Sequence, residues 1–107
     1  MKLCILLLTC ANEQEANNIS GALLDNRLVA CVKKMGVQSS SLWKGKKESG
    51  SEVMLVMDSI EENFTKVNQK VKELHSYETY VLLSLPVNQT TKEVKKWLTT
   101  ELKNNTS

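Results

Sequence analysis

Residues 3–9 read LCILLLT and residues 53–57 read VMLVM. Short apolar runs of this kind are typical of central strands that are covered by helices. Helical patterns follow each run, and the complete chain predicts the order βαββαβα. Two right-handed βαβ crossovers that are joined by a hairpin form a ferredoxin-like sandwich. We therefore expect an α+β fold with four strands, helices on one face of the sheet and an additional C-terminal helix.

Each predicted helix begins with a capping residue and continues with apolar residues on one face. Asn12, with Glu15 three residues later, indicates the first helix. Ser59-x-x-Glu62 and Thr90-x-x-Glu93 indicate the second and third helices. The apolar faces of the three helices comprise Ala16, Ile19, Ala22 and Leu23, then Phe64, Val67, Val71 and Leu74, and finally Val94, Trp97, Leu98 and Leu102.

The second strand is the unusual element of this pattern. It begins at Leu28, continues to about residue 47 after an interruption at Gly36, and carries a bulge or a close backbone contact at Gly45. Residues 48–51 are predicted to form the following turn. A strand of this length overhangs a sheet whose other strands have ordinary lengths.

The overhang carries exposed apolar side chains. Leu42 and Trp43 lie beyond the reach of the chain's own core, and the topology places this strand at an edge of the sheet. A long unpaired edge promotes aggregation unless another chain covers it. We therefore expect another subunit to cover Leu42 and Trp43.

The fourth strand is predicted from Tyr80 to Leu85, and Pro86 ends it.

The predicted hairpin of the second and third strands carries opposite charges on its two strands. Residues 27–47 contain six basic residues and no acid, whereas residues 48–62 contain five acids and no base. Opposite charges on neighbouring strands give modest support to their pairing.

Length and composition limit the classes of protein to which the chain can belong. The 107 residues suffice for one domain, 1–107, and the formal charge of +2 is too small to predict a nucleic-acid partner. No apolar run is long enough to span a membrane. Three cysteines without Cys-x-x-Cys spacing favour a reducing, cytoplasmic environment over disulfides or structural zinc.

Five segments in order resemble one known family. They are Thr9–Glu13 (TCANE), Leu28–Val32 (LVACV), Trp43–Lys46 (WKGK), His75–Glu78 (HSYE) and Leu85–Val87 (LPV). The chain resembles the CutA divalent-cation tolerance family along nearly its whole length. The resemblance implies a ferredoxin-like homotrimer whose long strands pair between subunits. It also implies association with divalent metals, copper especially, and no established enzymatic reaction.

Three side chains offer candidate metal ligands of mixed chemistry. Cys31 supplies a thiolate, His75 an imidazole and Glu78 a carboxylate, which suits copper or zinc. For His75 the alternative is a helix C-terminal residue that interacts with the helix dipole. For Cys31 the alternative is a small core residue on a buried strand. Cys4 is expected in the core, and Cys10 lies at the end of the first strand, where metal or oxidant could reach it.

An intersubunit cleft is the second candidate site. Trp43 and Tyr77 could form its aromatic rim, and Lys44 and Lys46 could bind an anion there, although interface packing and solvation are the alternatives. The chain lacks a nucleophile–base pair and a Gly-rich phosphate loop, so we do not expect an enzyme.

These observations lead to two functional hypotheses. The first is a cytoplasmic homotrimer that binds copper or another divalent cation and contributes to metal tolerance, without a membrane or nucleic-acid partner. The alternative is a trimeric regulator similar to the PII signalling proteins, which binds a small anionic ligand between subunits.

Overall fold

The computed structural model describes residues 1–102, which form four strands and three helices. Their order is βαββαβα, as predicted from the sequence. A single turn of 3-10 helix at Glu61–Asn63 leads into the second helix. The elements are β1 (Leu3–Cys10), α1 (Glu13–Asp25), β2 (Cys31–Trp43), β3 (Lys46–Ile60), α2 (Phe64–Leu74), β4 (Leu82–Pro86) and α3 (Lys92–Leu102).

The four strands form one antiparallel sheet in the order β2-β3-β1-β4. This order confirms the ferredoxin-like α+β fold and places the long strand β2 at an edge, as expected. The first strand begins beside Ile60 of β3 and ends beside Val53. The apolar runs of β1 and β3 are thus neighbours at the centre of the sheet.

The hairpin between β2 and β3 differs from the prediction. Strand β2 is uninterrupted, and the turn consists of Lys44 and Gly45, whose φ angles are 51° and 79°. Two consecutive positive φ angles are typical of a type I′ hairpin turn, whose twist matches that of the flanking strands. The expected turn at residues 48–51 is wrong, because these residues pair with β2.

The hairpin extends well beyond the rest of the sheet. Residues 46–52 of β3 pair with β2 alone, since β1 ends beside Val53. At about 3.3 Å per residue this overhang is about 23 Å long. Leu42 is 76% exposed and Trp43 45% exposed, which confirms their predicted position outside the core.

The main core lies between one face of the sheet and helices α1 and α2. Alternate residues of β1 point into it, and Cys4 is among them, as predicted. Helix α3 instead packs in a separate cluster with Ile60, so the helices do not form one continuous layer. Leu74 and Trp97 remain about 40% exposed, contrary to the predicted apolar faces. The buried residues of the main core are Cys4, Leu6, Leu8, Cys10, Ala16, Ile19, Leu23, Leu28, Val29, Leu55, Met57, Val67 and Val71.

Of the three predicted helix caps, the structure confirms one. The Asn12 side chain accepts a hydrogen bond of 2.9 Å from the backbone N–H of Glu15. Ser59 lies within β3 instead, and its hydroxyl donates to the carbonyl of Leu28 at 2.6 Å. At the third helix the hydroxyl that accepts from a backbone N–H belongs to Thr91 rather than to Thr90.

Strand β4 begins two residues later than predicted, at Leu82, and it includes Pro86, which was expected to end it.

None of the helices formed by residues 1–102 has the length and apolar character needed to cross a membrane.

Candidate functional site

His75 is the residue that follows the last turn of helix α2, and its side chain points into the interior of the protein. Its ring is fully buried, with Nε2 2.8 Å from the carbonyl oxygen of Thr9. Nδ1 accepts a hydrogen bond of 3.0 Å from the backbone N–H of Tyr77. Because an amide N–H can only donate, Nδ1 carries no proton and Nε2 donates to Thr9. His75 is therefore a neutral imidazole that ties the end of α2 to the end of β1.

Aromatic contacts hold this imidazole in place. The ring of Tyr80 stacks on it at a centroid distance of 5.1 Å, and the ring of Tyr77 lies at 4.9 Å. His75 therefore does lie at the end of a helix, which was one of the two positions expected from the sequence. Its ring forms a hydrogen bond to β1 and does not act as a positive charge beside the helix dipole.

Glu15 and Cys10 lie beside His75, although no local sequence pattern connects these three residues. One Glu15 oxygen accepts from the backbone N–H of Ala11 at 2.7 Å, and the other from that of Ser76 at 2.6 Å. Burial raises the pKa of Glu15, but the hydrogen bonds from Ala11 and Ser76 outweigh this effect, so the pKa is lowered overall. Glu15 therefore stays ionised, 3.6 Å from Nε2 of His75.

Cys10 completes this group at the end of β1. Its side chain is buried, which corrects the expectation that metal or oxidant could reach it directly. Burial and the charges of Glu15 and Glu52 raise the pKa of its thiol to about 12. The potential ligand atoms of Cys10, Glu15 and His75 all lie within 4.8 Å of one another. We call these three residues the buried triad.

Cys31 lies elsewhere in the chain. It begins the edge strand β2 opposite Asp58, which in turn pairs with Ile5 of β1. Thr9, to which His75 bonds, is four residues further along β1 than Ile5, which corresponds to about 13 Å along the strand. Cys31 lies two strands away from β1, which adds about 10 Å across the sheet. Within one chain Cys31 and His75 therefore do not share a site, and a site between subunits stays a prediction.

The immediate surroundings of Cys31 carry charge. The ammonium group of Lys33 lies 3.7 Å from its sulfur and 3.1 Å from a carboxylate oxygen of Asp58. This ion pair joins β2 to β3, as the opposite charges of the hairpin predicted.

Glu78, Tyr77 and Trp43 all line a groove of about 670 Å³ that runs along the overhanging part of the hairpin. The structure thus brings together three of the predicted site residues. Lys44 and Lys46 are not among its lining residues, and Lys44 instead places its ammonium 5.8 Å from the ring centroid of Trp43. The groove is lined by Thr9, Ser39, Ser41, Leu42, Trp43, Glu48, Ser49, Gly50, Ser51, Glu52, Tyr77, Glu78, Thr79 and Val81.

Glu52 is the polar centre of this groove, and sequence reasoning did not identify it. Its carboxylate accepts hydrogen bonds from the hydroxyls of Ser39 and Tyr77, the latter at 2.6 Å. These bonds lower the pKa of Glu52, and the bond to Glu52 together with burial raises the pKa of Tyr77 to about 12. Among the described residues that line the groove there are three glutamates and no lysine or arginine. The charged side chains of the groove lining are therefore all acidic.

The sheet face opposite α1 and α2 is apolar and largely uncovered. The strand register aligns Lys33, Val56, Leu7 and Leu83 in one row across it. Its most exposed apolar side chains are Met35, Val81, Leu83 and Leu85, which are 45–55% exposed. We call this surface the open face. Several exposed apolar side chains on one face are typical of a surface that another protein covers.

Comparison with known proteins relates this fold and sequence to one family. The family model for CutA1 divalent ion tolerance protein matches residues 4–101. The divalent-cation tolerance protein CutA of Archaeoglobus fulgidus is 31% identical over 93 residues, which cover 87% of this chain and 91% of that protein. Its counterpart in Thermus thermophilus is 32% identical over 95 residues, covering 88% and 92% of the two chains.

Solved structures agree with these matches. The A. fulgidus protein, described as a periplasmic divalent cation tolerance protein, superimposes with a TM-score of 0.91 at 29% identity, covering 94% of this chain and 98% of that one. The T. thermophilus structure gives a TM-score of 0.87 at 31% identity, covering 90% and 94%. The chain therefore belongs to the CutA1 divalent ion tolerance family.

Proposed function

We propose that this protein is a homotrimer that binds divalent cations, copper among them, and contributes to metal tolerance. The observation that carries the proposal is the family match over residues 4–101. The relatives from A. fulgidus and T. thermophilus are both named divalent-cation tolerance proteins.

The open face supports the assembly. Leu83 and Leu85 of β4 expose nearly half of their side chains there, next to Leu7 at the centre of the sheet. The overhanging hairpin adds Leu42 and an unpaired strand edge. Burial of apolar surface stabilises association by about 25 cal/mol per Å². A second and a third copy of the chain are the partners that satisfy both surfaces in a closed ring.

The groove supports the preference for cations. Glu48, Glu52 and Glu78 line it together, and the hydrogen bonds to Glu52 keep that carboxylate ionised. Carboxylate oxygens and a nearby thiolate of a neighbouring subunit would suit a transition-metal cation. The same charges make the PII-like alternative less favourable, because an anion in this groove would meet three carboxylates.

We further propose that the protein catalyses no reaction and resides in the cytoplasm. His75, the single histidine of the sequence, has both ring nitrogens engaged in hydrogen bonds to backbone groups. The three cysteines are unpaired, which suits a reducing compartment. The A. fulgidus relative is described as periplasmic, so localisation of the tagged protein by fractionation is the direct test.

Calorimetric titration of the full-length protein with Cu²⁺ and Zn²⁺ tests cation binding. Zn²⁺ is included because it has no redox chemistry and cannot oxidise the thiols. If Glu78 is a ligand, Glu78→Gln should weaken binding about tenfold or more. Glu13→Gln, an exposed carboxylate on α1 outside the groove, is the matched control and should leave affinity unchanged. Absence of binding by both metals at 100-fold molar excess would contradict the proposal.

A further inference from the structure

The sulfur of Cys31 and the ammonium nitrogen of Lys33 are in contact on the edge strand β2. The two atoms are 3.7 Å apart. The two residues are separated by one position in the strand, so their side chains point to the same face. Lys34 points to the opposite face, where its ammonium donates to the side chain of Asn17. The strand conformation therefore selects Lys33, and not Lys34, as the neighbour of the Cys31 thiol.

Asp58 holds the Lys33 side chain beside this sulfur. A carboxylate oxygen of Asp58 lies 3.1 Å from the same ammonium nitrogen. Asp58 is also the direct partner of Cys31 in the pairing of β2 with β3. The nitrogen of Lys33 thus lies between a carboxylate and a thiol, although 62% of the lysine side chain is exposed. The ion pair orients an amine towards a cysteine sulfur.

Cys31 is the cysteine that an oxidant in solution reaches most easily. Cys4 and Cys10 are 1% and 0% exposed, whereas Cys31 is only partly buried. Burial also raises the pKa of both Cys4 and Cys10, so their reactive thiolate forms are scarce at neutral pH. Susceptibility to oxidation follows thiolate character and exposure, and both properties direct oxidation to Cys31.

We propose that Cys31 and Lys33 form a redox-responsive modification site in which a single oxygen atom links the cysteine sulfur to the lysine nitrogen. The linkage requires a thiol and an amine in contact, and dioxygen as the oxidant. The proposal concerns a covalent change within one strand and does not rest on the proposed function.

The reaction balances with dioxygen as the oxidant. The O–O bond breaks, and one oxygen atom forms bonds to the Cys31 sulfur and the Lys33 nitrogen. The thiol loses one hydrogen and the ammonium group loses two. Two of these three hydrogens leave with the second oxygen atom as water, and the third passes to solvent as a proton. Sulfur and nitrogen each give up two electrons, which together reduce the dioxygen molecule. Two equivalents of a dithiol return the four electrons, restore the thiol and the amine, and release the bridging oxygen as water.

The linkage changes the chemistry of this part of the surface. The Cys31 thiol is no longer free to act as the metal ligand expected from the sequence. A nitrogen that is bonded to oxygen is only weakly basic, so Lys33 loses its positive charge. Asp58 then loses the ion pair that joins β2 to β3. Oxidation thereby alters the charge at the edge of the open face, on which Lys33 lies.

Mass spectrometry of the full-length protein tests the linkage after treatment with a chelator and prolonged incubation in air-saturated buffer. We expect the wild type to gain one oxygen atom and lose two hydrogen atoms, and to regain its original mass with dithiothreitol. Trypsin should no longer cleave after Lys33, so residues 28–34 should appear as one peptide. Cys31→Ser and Lys33→Gln should abolish the product. Lys34→Gln, the matched control on the opposite face, should form as much of it as the wild type.

A second variant separates the amine from the ion pair. Lys33→Arg keeps a cation opposite Asp58 but lacks the primary amine, so it should also fail to form the product, and circular dichroism establishes that each variant is folded. A wild type that keeps its reduced mass, or that gains oxygen without losing hydrogen as a sulfenic acid does, would overturn the proposal. Formation of the same product by folded Lys33→Gln or Lys33→Arg would overturn it as well. The calorimetric titrations with Cu²⁺ and Zn²⁺ use reduced protein, so either proposal can fail while the other stands.

Discussion

Replacement of Leu83 by lysine should dissociate the assembly, whereas the same replacement at Leu24 should not. Leu83 lies on the open face and is 48% exposed in the single chain, and Leu24 lies on α1 and is 42% exposed. The two leucines have similar solvent exposure but occupy opposite sides of the molecule. In a monomer, both substitutions would change stability by no more than about 0.5 kcal/mol.

The expected effect in a trimer is much larger at Leu83. An unpaired buried charge costs several kcal/mol, and a value of about 3 kcal/mol for each subunit amounts to about 9 kcal/mol for the trimer. At about 1.4 kcal/mol per factor of ten, the association constant falls about 10⁶-fold. The concentration at half-assembly varies as the inverse square root of that constant, so it rises about 1,000-fold.

Analytical ultracentrifugation over a dilution series measures this shift. We expect the wild type and Leu24→Lys to sediment as trimers at micromolar concentration, and Leu83→Lys to sediment as a monomer with unchanged far-ultraviolet circular dichroism. A trimeric Leu83→Lys variant would refute the placement of the interface on the open face. Equal dissociation of both variants would show that the helical side contributes to the interface as well.

Three further predictions follow from the assembly, the hairpin turn and the groove. The melting temperature should rise with protein concentration, because association stabilises the folded chain; a constant value over two decades of concentration would argue against coupled unfolding. In the turn, both Lys44 and Gly45 have positive φ angles. Lys44→Asn should therefore stabilise the protein by about 0.5–1 kcal/mol, and Gly45→Ala should destabilise it by about 1 kcal/mol. Urea denaturation measures both changes, and opposite signs would contradict the role of the turn. Because the pKa of Glu52 is lowered in the folded state, its stabilising contribution is present above the ordinary carboxyl pKa of 4.5 and is lost as the pH falls through the folded value. The stability difference between wild type and Glu52→Gln should therefore shrink between pH 7 and pH 3, and a difference that is independent of pH would contradict this account.

The sequence alone determined the order of the elements, the ferredoxin-like fold and the edge position of β2. These follow from local patterns: two continuous apolar runs, helical spacing after each of them, and the chain connectivity that limits how strands can be arranged. The exposure of Leu42 and Trp43 followed from the same arithmetic, because a strand of that length must overhang a sheet of shorter strands. Trp43, Tyr77 and Glu78 were also predicted as site residues, and they do share one groove.

The position of the hairpin turn and the helix caps were harder to predict, because several sequence segments have equivalent local chemistry. Residues 48–51 have the composition of a turn, yet pairing along the hairpin places the turn at Lys44 and Gly45. Ser59 has the spacing of a cap, yet its hydroxyl bonds to Leu28, 31 residues earlier in the chain. In both cases a contact distant in sequence overrides a local preference.

The tertiary structure alone decided the composition of the buried triad. Glu15 is a capping residue by its spacing, and Cys10 is simply the last residue of a strand, so neither indicates His75 as a neighbour. The three meet because β1, α1 and α2 pack at one corner of the core, where the buried ring of His75 bonds to Thr9 and the carboxylate of Glu15 accepts from Ser76. Short-range patterns encode the elements, whereas the packing of elements far apart in sequence determines which side chains meet.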